Sequence, residues 1–362
     1  MGNQLISDLL IIGAGIAGLA TAQRLLERGA NVTLLDQGAV GRESSWAGGG
    51  ILSPLCPWDY SDAVNRLCSH STAQFAAWAA ALHEASGIDP EYERSGMLVL
   101  PPLDRPAALQ WCRAHGTAVE QVEVAGLAPG ASGEGLLLPD VAQVRNPRLL
   151  QALHQRVLAL GGRIVEHCAV QGLLTRNGLV EGLATSRGVL RAERYVVTAG
   201  AWSQAVLGEY ALKLDIRPIR GQMLLFKFAA PPLRHILLQN GMYLIPRRDG
   251  HLLVGSTLED VGFDKSTTDE ARDSLWQRAQ ALVPALRDMP PVQHWSGLRP
   301  GSPGNIPTIG RHPQLDNLYL NSGQFRYGVT MALASVDVLM SELQGSPPPF
   351  DVAPYRAGWA GS

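Results

Sequence analysis

The sequence predicts an α/β protein of two domains, one built on a parallel sheet with flanking helices and one on an antiparallel sheet. A buried strand, a glycine-rich turn and an amphipathic helix follow one another near the start of the chain. Strands and a helix of the same kind return later, and segments with alternating apolar residues lie between them. With 362 residues, 46% of them hydrophobic, the chain can bury one large core or two coupled ones.

The first predicted element is a βαβ unit. Residues 8–13 have the continuous apolar character of a buried parallel strand, and residues 16–28 have the pattern of an amphipathic helix. Residues 31–35 form a second buried strand, which ends at Asp36. This order of strand, helix and strand is the unit from which parallel sheets are built.

The turn inside this unit carries a glycine pattern. Gly13, Gly15 and Gly18 follow the strand and open the helix as G-x-G-x-x-G. Their missing side chains permit a tight turn, the close approach of a pyrophosphate and close packing of the helix on the strand. Asp36 stands 23 residues after Gly13, where a carboxylate can accept hydrogen bonds from a ribose hydroxyl. The pattern predicts a dinucleotide site, without separating NAD from FAD.

Further pieces of the same domain return along the chain. Residues 163–166 and 194–198 are predicted strands, and residues 329–343 a helix. Between them, residues 92–140 are rich in proline and glycine, and residues 216–258 alternate as antiparallel strands do.

We predict a Rossmann-like dinucleotide-binding domain that is formed from discontinuous pieces of the chain. An antiparallel-sheet substrate-binding domain covers a pocket at the interface between the two domains. The assigned ranges are 1–88, 144–212 and 297–362 for the first domain, and 89–143 and 213–296 for the second.

Composition excludes several classes of protein. A net charge of -2, with basic residues scattered along the chain, provides no field for nucleic acid. No stretch reaches the roughly 20 apolar residues needed to cross a bilayer, so no membrane partner is expected. The four cysteines show no C-x-x-C pairing and no neighbouring histidine cluster, so we expect no metal site and no disulfide framework. A reducing cytoplasm fits this cysteine usage.

Five further segments carry a family resemblance: residues 41–51, 198–203, 242–247, 297–301 and 323–328. Together they resemble the D-amino acid oxidase superfamily of FAD enzymes, and most closely the bacterial glycine oxidases of thiamine biosynthesis. The resemblance extends from residue 9 to about residue 343. It implies a two-domain flavoprotein that binds FAD. Because no cysteine follows Cys168, the attachment of flavin through a C-terminal cysteine seen in related sarcosine oxidases is excluded, and the FAD is expected to be non-covalent.

The resemblance also implies which residues bind the cofactor. The serines after Gly41 and the turn before Ile51 would contact FAD, the backbone of Val170 would meet its adenine end, and the loop 323–330 would wrap the ring system. Added to the glycine pattern, the predicted cofactor-binding residues are Gly13, Gly15, Ile16, Ala17, Gly18, Asp36, Gln37, Ser44, Ser45, Gly49, Gly50, Ile51, Val170, Ala199, Gly200, Trp202, Gly323, Gln324, Phe325, Arg326, Tyr327, Gly328, Val329 and Thr330.

For the substrate, Arg299 resembles the carboxylate-binding arginine of the family, Tyr243 a tyrosine that assists it, and Arg326 a residue whose backbone carbonyl holds the amine. An arginine fork suits a carboxylate because it donates two parallel hydrogen bonds. Without the resemblance, Arg299 would read as a loop arginine paired with an acid, and Tyr243 as a cross-strand aromatic. The pair Arg247 and Arg248 reads as a solvated turn.

Two positions depart from the glycine oxidase pattern. Where well-known members have methionine beside the substrate, this chain has Ile51 in one place and Leu258 in the other. Both keep an apolar wall of similar volume, so they preserve the chemistry and change the fit of a substrate side chain. Glycine is the leading substrate, and sarcosine, D-alanine and D-proline stay open.

The signature loops supply no side chain placed as a general acid or base, which favours direct hydride transfer from the α-carbon to flavin. The resemblance implies O2 as the acceptor and hydrogen peroxide as a product. It also implies transfer of the imine to thiazole synthase, and a homo-oligomer, a tetramer in the glycine oxidases.

Two other functions fit the same fold. One is a D-amino acid dehydrogenase that passes electrons to a membrane quinone, for which we see no apolar or basic docking patch. Turnover with O2 alone would distinguish it. The other is a flavin-binding subunit without independent activity, or a tRNA-modifying oxidase module that works beside a partner, against which Arg299 and Tyr243 argue.

Overall fold

The computed structural model describes residues 7–360, and within them three sheets are packed with helices. The strands are β1 Ser7–Ile12, β2 Val32–Leu35, β3 Met97–Val99, β4 Glu120–Glu123, β5 Glu134–Leu138, β6 Arg163–Val165, β7 Val170–Arg176, β8 Leu179–Thr185, β9 Gly188–Leu190, β10 Ala192–Val197, β11 Arg217–Lys227, β12 Ile236–Gln239, β13 Met242–Pro246, β14 His251–Gly255, β15 Gln293–Gly301, β16 Thr308–Arg311 and β17 Leu318–Ser322. The α-helices are α1 Ile16–Leu26, α2 Ser44–Ala47, α3 Asp62–Ser86, α4 Arg105–Ala114, α5 Asn146–Ala159, α6 Ser203–Leu207, α7 Asp269–Leu282, α8 Ala332–Gln344 and α9 Ala353–Arg356.

The first sheet has six strands in the order β16, β17, β10, β1, β2, β6. All neighbours are parallel except β16 and β17. Side chains of β1 such as Ile11 pack into a core formed with α1, α3, α5 and α8, whereas Leu10 faces the opposite core under the three-stranded sheet β7–β8–β9. Because both faces are covered, the strand is apolar along its length, as its sequence indicated.

The second sheet has eight strands in the order β15, β11, β14, β13, β12, β3, β5, β4. Its neighbours are antiparallel except β12 and β3. Along β11, Leu224 and Phe226 pack on the side of helix α7, while Met223 belongs to the core that continues to the first sheet. This alternation places one face of the second sheet toward the first, as the alternating sequence predicted.

The predicted α/β fold class is confirmed, and most predicted elements differ only at their ends. The C-terminal helix begins at Ala332 rather than at residue 329, because residues 325–327 form a 3-10 turn before it. Strand β15 crosses the domain boundary predicted at residue 297, so the division into two domains stays a prediction, and residues 1–6 and 361–362 of its ranges lie outside the described residues. No helix within residues 7–360 is long and apolar enough to span a bilayer.

Candidate active site

Two adjoining cavities lie at the carboxyl ends of β1 and β10. The turn cavity is lined by Gly13, Asp36, Val170 and Trp202 among others. The arginine cavity lies toward the second sheet and includes Arg299 in its lining. The residues that line both are Gly15, Ser44, Ser45, Thr198 and Gly200. A cleft at the carboxyl end of a parallel sheet is where open α/β folds bind their ligands.

The glycine turn is shaped by close backbone contacts. Gly13 has φ 107°, which favours glycine, and a Cβ on it would lie 2.5 Å from the Thr198 carbonyl oxygen. A Cβ on Gly18 would lie within 3.0 Å of the Gly13 carbonyl oxygen, closer than real Cβ atoms approach. Thr198 Oγ1 donates to the same Gly13 oxygen at 2.8 Å. The strand, the turn and the start of helix α1 are therefore held at the smallest separation their backbones allow.

Polar groups line the turn cavity near the N-terminus of α1. The Asp36 carboxylate accepts hydrogen bonds from the backbone N–H groups of Ala14, at 2.8 Å, and Gly38, at 2.9 Å. Ser45 Oγ accepts from the N–H of Ile16 at 3.0 Å, the start of α1. A helix N-terminus and a carboxylate in one cleft are suited to a phosphate and to a ribose hydroxyl respectively. These residues fit the dinucleotide that the glycine pattern predicts.

The loops between the cavities are fixed by hydrogen bonds that are buried or partly buried. Thr330 Oγ1 donates to the Ile51 carbonyl at 2.9 Å, which ties the loop 323–330 to the predicted cofactor turn. Asn146 Nδ2 donates to the carbonyl oxygens of Ser45, at 2.8 Å, and Gly48, at 3.0 Å. The loop 323–330 and residues 45–51, two of the regions named by the resemblance, are thus held in place next to each other.

Arg299 is a cation of the arginine cavity that has no carboxylate partner among the described residues. Its Nη2 donates to Ser256 Oγ at 2.6 Å, and its Nη1 donates to the Thr257 carbonyl at 3.2 Å. Burial, together with the positive charge of Arg326, lowers the pKa of the Arg299 guanidinium, and Tyr243 opposes that shift. A half-buried cation that is bonded to neutral oxygens favours an anionic ligand. The alternative interpretation, a loop arginine paired with an acid, does not match this environment, because Arg299 lies in a strand and is bonded to neutral oxygens.

Tyr243 and Arg326 complete the predicted substrate residues around Arg299. Tyr243 is buried on β13, and its hydroxyl lies 3.8 Å from Met223 Sδ. Arg326 is half-buried on the 3-10 turn 325–327. Both line the arginine cavity with Arg299 and Ile51.

The structure brings most predicted residues to the two cavities. Those that line the turn cavity are Gly13, Gly15, Asp36, Gln37, Ser44, Ser45, Val170, Ala199, Gly200 and Trp202. Those that line the arginine cavity are Gly15, Ile16, Ala17, Ser44, Ser45, Gly49, Gly50, Ile51, Gly200, Tyr243, Arg299, Gln324, Phe325, Arg326, Tyr327, Gly328, Val329 and Thr330. Gly18 and Gly323 line neither cavity. Gly18 packs against the backbone of Gly13. Gly323 has φ 89° and lies in the turn before residue 324.

Leu258 does not match its predicted position. It is 58% exposed and is not in the lining of the arginine cavity. The preceding residues, Ser256 and Thr257, are the ones that contact Arg299, through a hydroxyl and a carbonyl oxygen. Leu258 is therefore next in sequence to residues that hold Arg299, but its own side chain is largely exposed to solvent.

The prediction that Arg247 belongs to a solvated turn is wrong. It is 4% exposed, and its guanidinium donates to Gly49 O at 2.7 Å, Val144 O at 2.9 Å and Gln143 Oε1 at 2.7 Å. Burial, and next the charge of Arg145, lowers the pKa of Arg247 to about 10. Arg247 thus fixes the predicted cofactor turn to the second sheet.

Other contributors were also missed. Asn146 and Ser256 line the arginine cavity, and Thr198 lines both cavities. Thr198 lies in a segment that the resemblance included, but no local pattern marks Asn146 or Ser256, because their contacts are with residues distant in sequence.

Comparison with known proteins agrees with this geometry. Residues 8–340 match the DAO family model, described as FAD dependent oxidoreductase. The chain is 44% identical over 354 residues to a glycine oxidase from Pseudomonas aeruginosa, covering 96% of this chain and 97% of that protein. It is 32% identical over 339 residues to the bifunctional protein ThiO/ThiG of Nostoc sp., covering 90% of this chain and 51% of that protein.

The fold is similar to a solved one. The crystal structure of glycine oxidase from Geobacillus kaustophilus superposes with a TM-score of 0.91 at 26% identity, covering 96% of this chain and 97% of the other. The predicted cofactor and enzyme class are confirmed by the family match and the relatives. This chain belongs to the DAO family of FAD-dependent oxidoreductases, with glycine oxidases among its relatives.

Proposed function

We propose that this protein oxidises the C–N bond of glycine, and more slowly of sarcosine, D-alanine and D-proline, with O2 as the electron acceptor. The observation that carries the proposal is the Arg299 guanidinium in the arginine cavity, which has no carboxylate partner within residues 7–360 and lies in the same cavity as the predicted cofactor loops. A glycine oxidase is also the relative that is 44% identical over nearly the whole chain.

In this mechanism the residues of the chain bind and orient, and FAD, when bound, supplies the hydride acceptor. Arg299 binds the substrate carboxylate through its two Nη groups, and Tyr243 stands beside it. The backbone carbonyl of Arg326 accepts a hydrogen bond from the amine, which reacts in its neutral form. Orientation lowers the barrier without a side-chain acid or base. Loss of a hydride from the α-carbon and a proton from nitrogen gives the imine, and two electrons with two protons convert O2 into H2O2.

The walls of the arginine cavity favour a small substrate. A Cβ on Gly49 would lie 2.6 Å from Ile245 Cδ1 and 3.1 Å from the Tyr243 ring, so this side of the cavity is already filled. Ile51 adds an apolar wall that is 9% exposed. A substrate without a large side chain is the one such a cavity accommodates best.

Three further parts of the proposal concern the cellular setting. The imine passes to a thiazole synthase, which the fused relatives named ThiO/ThiG support. The protein forms a homo-oligomer, a tetramer by resemblance to glycine oxidases. It acts in the cytoplasm, which its four free cysteines support.

The test is to purify the FAD-loaded protein and follow peroxide in air with glycine, sarcosine, D-alanine, D-proline and an L-amino acid control. The proposal expects peroxide from glycine at the highest kcat/KM. Flavin reduction without peroxide would favour a dehydrogenase with another acceptor. Absence of both would favour a flavin-binding subunit without its own activity.

A further inference from the structure

The Arg299 side chain crosses a neighbouring strand to reach the atoms that hold it. Arg299 lies on β15 opposite Ile219 of β11. Its guanidinium is bonded to Ser256 and Thr257, which directly follow β14 on the other side of β11. The side chain therefore spans β11, the strand between its own backbone and its hydrogen-bond acceptors.

Gly221 is the residue of β11 under the guanidinium. It stands two residues after Ile219, so it shares the face on which Arg299 projects. A Cβ on Gly221 would lie within 3.0 Å of Nη1, Nη2 and Cζ of Arg299, and these are the three atoms nearest to it. The guanidinium lies directly against the glycine backbone.

A glycine inside a strand makes the strand less stable than a residue with a side chain would. The glycine at position 221 therefore has a local cause. Gly221 has no positive φ that would require glycine. The space above its Cα is filled by the guanidinium rather than by backbone. The strand itself could accept alanine at this position, and the group that would have to move is Arg299.

We propose that Gly221 is a positioning residue for substrate binding: the absence of its side chain seats the Arg299 guanidinium where both Nη groups can meet a carboxylate. The proposal rests on the proposed function, in which Arg299 binds that carboxylate. A methyl group at residue 221 displaces the guanidinium from Ser256 and Thr257 and misaligns its fork, while the fold and the turn cavity stay intact. Carboxylate recognition depends on this alignment, because the two hydrogen bonds must form together.

The experiment uses FAD-loaded protein and acetate, a carboxylate without an amine, as the probe. The variants are Gly221→Ala, Arg299→Ala, the double variant and the control Gly172→Ala. Gly172 lies in strand β7, and a Cβ there meets nothing within 4 Å. The Kd for acetate is measured from the change in the flavin visible spectrum, and KM and kcat are measured with glycine.

Gly221→Ala should weaken acetate binding and raise the KM for glycine by about tenfold, with kcat changed by less than about threefold. Gly172→Ala should match the wild type in each quantity. In the Arg299→Ala background, Gly221→Ala should have no further effect, because the group it displaces is gone.

Wild-type acetate affinity in Gly221→Ala, together with lost affinity in Arg299→Ala, would overturn the role of Gly221 and leave the proposed function intact. Wild-type affinity in Arg299→Ala would overturn both. A Gly221→Ala chain that does not fold would also overturn the proposal, because the guanidinium is expected to be the group that gives way.

Discussion

The two cavities are built in different ways. The turn cavity takes its shape from backbone in short local segments, where Gly13 and Gly18 allow contacts that no side chain permits. The arginine cavity takes its chemistry from side chains on separate strands, Tyr243 on β13 and Arg299 on β15. We therefore expect cofactor binding to depend mainly on backbone that lies close together, and substrate binding to depend mainly on how a few side chains are oriented. Substitutions should separate loss of flavin from loss of substrate binding.

The largest effect is expected for Gly18→Ala. Its Cβ would lie within 3.0 Å of the Gly13 carbonyl oxygen and 2.8 Å from Thr198 Oγ1, so β1 and α1 must separate. We expect loss of bound flavin and a free energy of unfolding lower by roughly 4 kcal/mol. The flavin-to-protein absorbance ratio and thermal denaturation measure these effects, with Gly172→Ala as the control. A variant with a full complement of bound flavin and the wild-type melting temperature would contradict the role given to the turn.

Arg299→Ala should impair substrate binding without loss of flavin, and it should leave the turn cavity unchanged. The variant should retain FAD but lose about 100-fold or more in kcat/KM for glycine, because the substrate loses its charge-assisted hydrogen bonds. Steady-state kinetics and the visible spectrum of the same preparation give both readouts. Kinetics like those of the wild type would remove Arg299 from the site.

Arg247→Met should lower stability rather than act on one cavity alone. It leaves the carbonyl oxygens of Gly49 and Val144 and the Gln143 amide oxygen without their buried donor. We expect a loss of about 3 kcal/mol in the free energy of unfolding. Arg248→Met is the matched control, since the Arg248 side chain is 49% exposed. Equal denaturation midpoints for the two variants would show that Arg247 does not hold the turn.

The smallest effect concerns Asp249, which follows Arg248. Burial alone would raise the pKa of the Asp249 carboxyl, but hydrogen bonds from Arg145 and His251 outweigh it and hold the pKa well below its usual value. A carboxyl group whose pKa is lowered by folding stabilises the folded state at pH values above its pKa in the unfolded state. That contribution is lost as the pH falls toward the lower pKa of the folded state.

The wild type should therefore lose more stability than Asp249→Asn between about pH 5 and pH 2. Thermal denaturation across that range provides the measurement. Parallel curves for the two proteins would show that the carboxylate makes no net contribution.

The residues of the turn cavity could be predicted from the sequence more completely than those of the arginine cavity. The reason is that the first cavity is built from short local segments and the second from side chains on separate strands. Gly13, Gly15, Gly18 and Asp36 stand at fixed spacings in one βαβ unit, so local pattern alone predicts their contacts. The prediction of a solvated turn at Arg247 failed because the burial of this residue depends on how β13 packs on residues 49–50. This contact joins segments about 200 residues apart along the chain, which no local pattern indicates.

The substrate residues of the arginine cavity were predicted from the family resemblance, because the spacing of residues in the sequence does not indicate them. It indicated Arg299 and Tyr243, which the structure brings to one cavity, but it also placed Leu258 there, although that side chain is exposed. The crossing of Arg299 over Gly221 requires the register of three strands, which the alternation of residues 216–258 leaves undetermined.

The most direct test of the central claim, that this chain oxidises glycine and reduces O2, is a single turnover without air. Glycine is added to anaerobic FAD-loaded protein while the flavin visible absorbance is followed, and O2 is then admitted. Glycine should bleach the flavin, O2 should restore the absorbance, and one H2O2 should form for each glycine oxidised. An absorbance that glycine leaves unchanged at saturating concentration would contradict it.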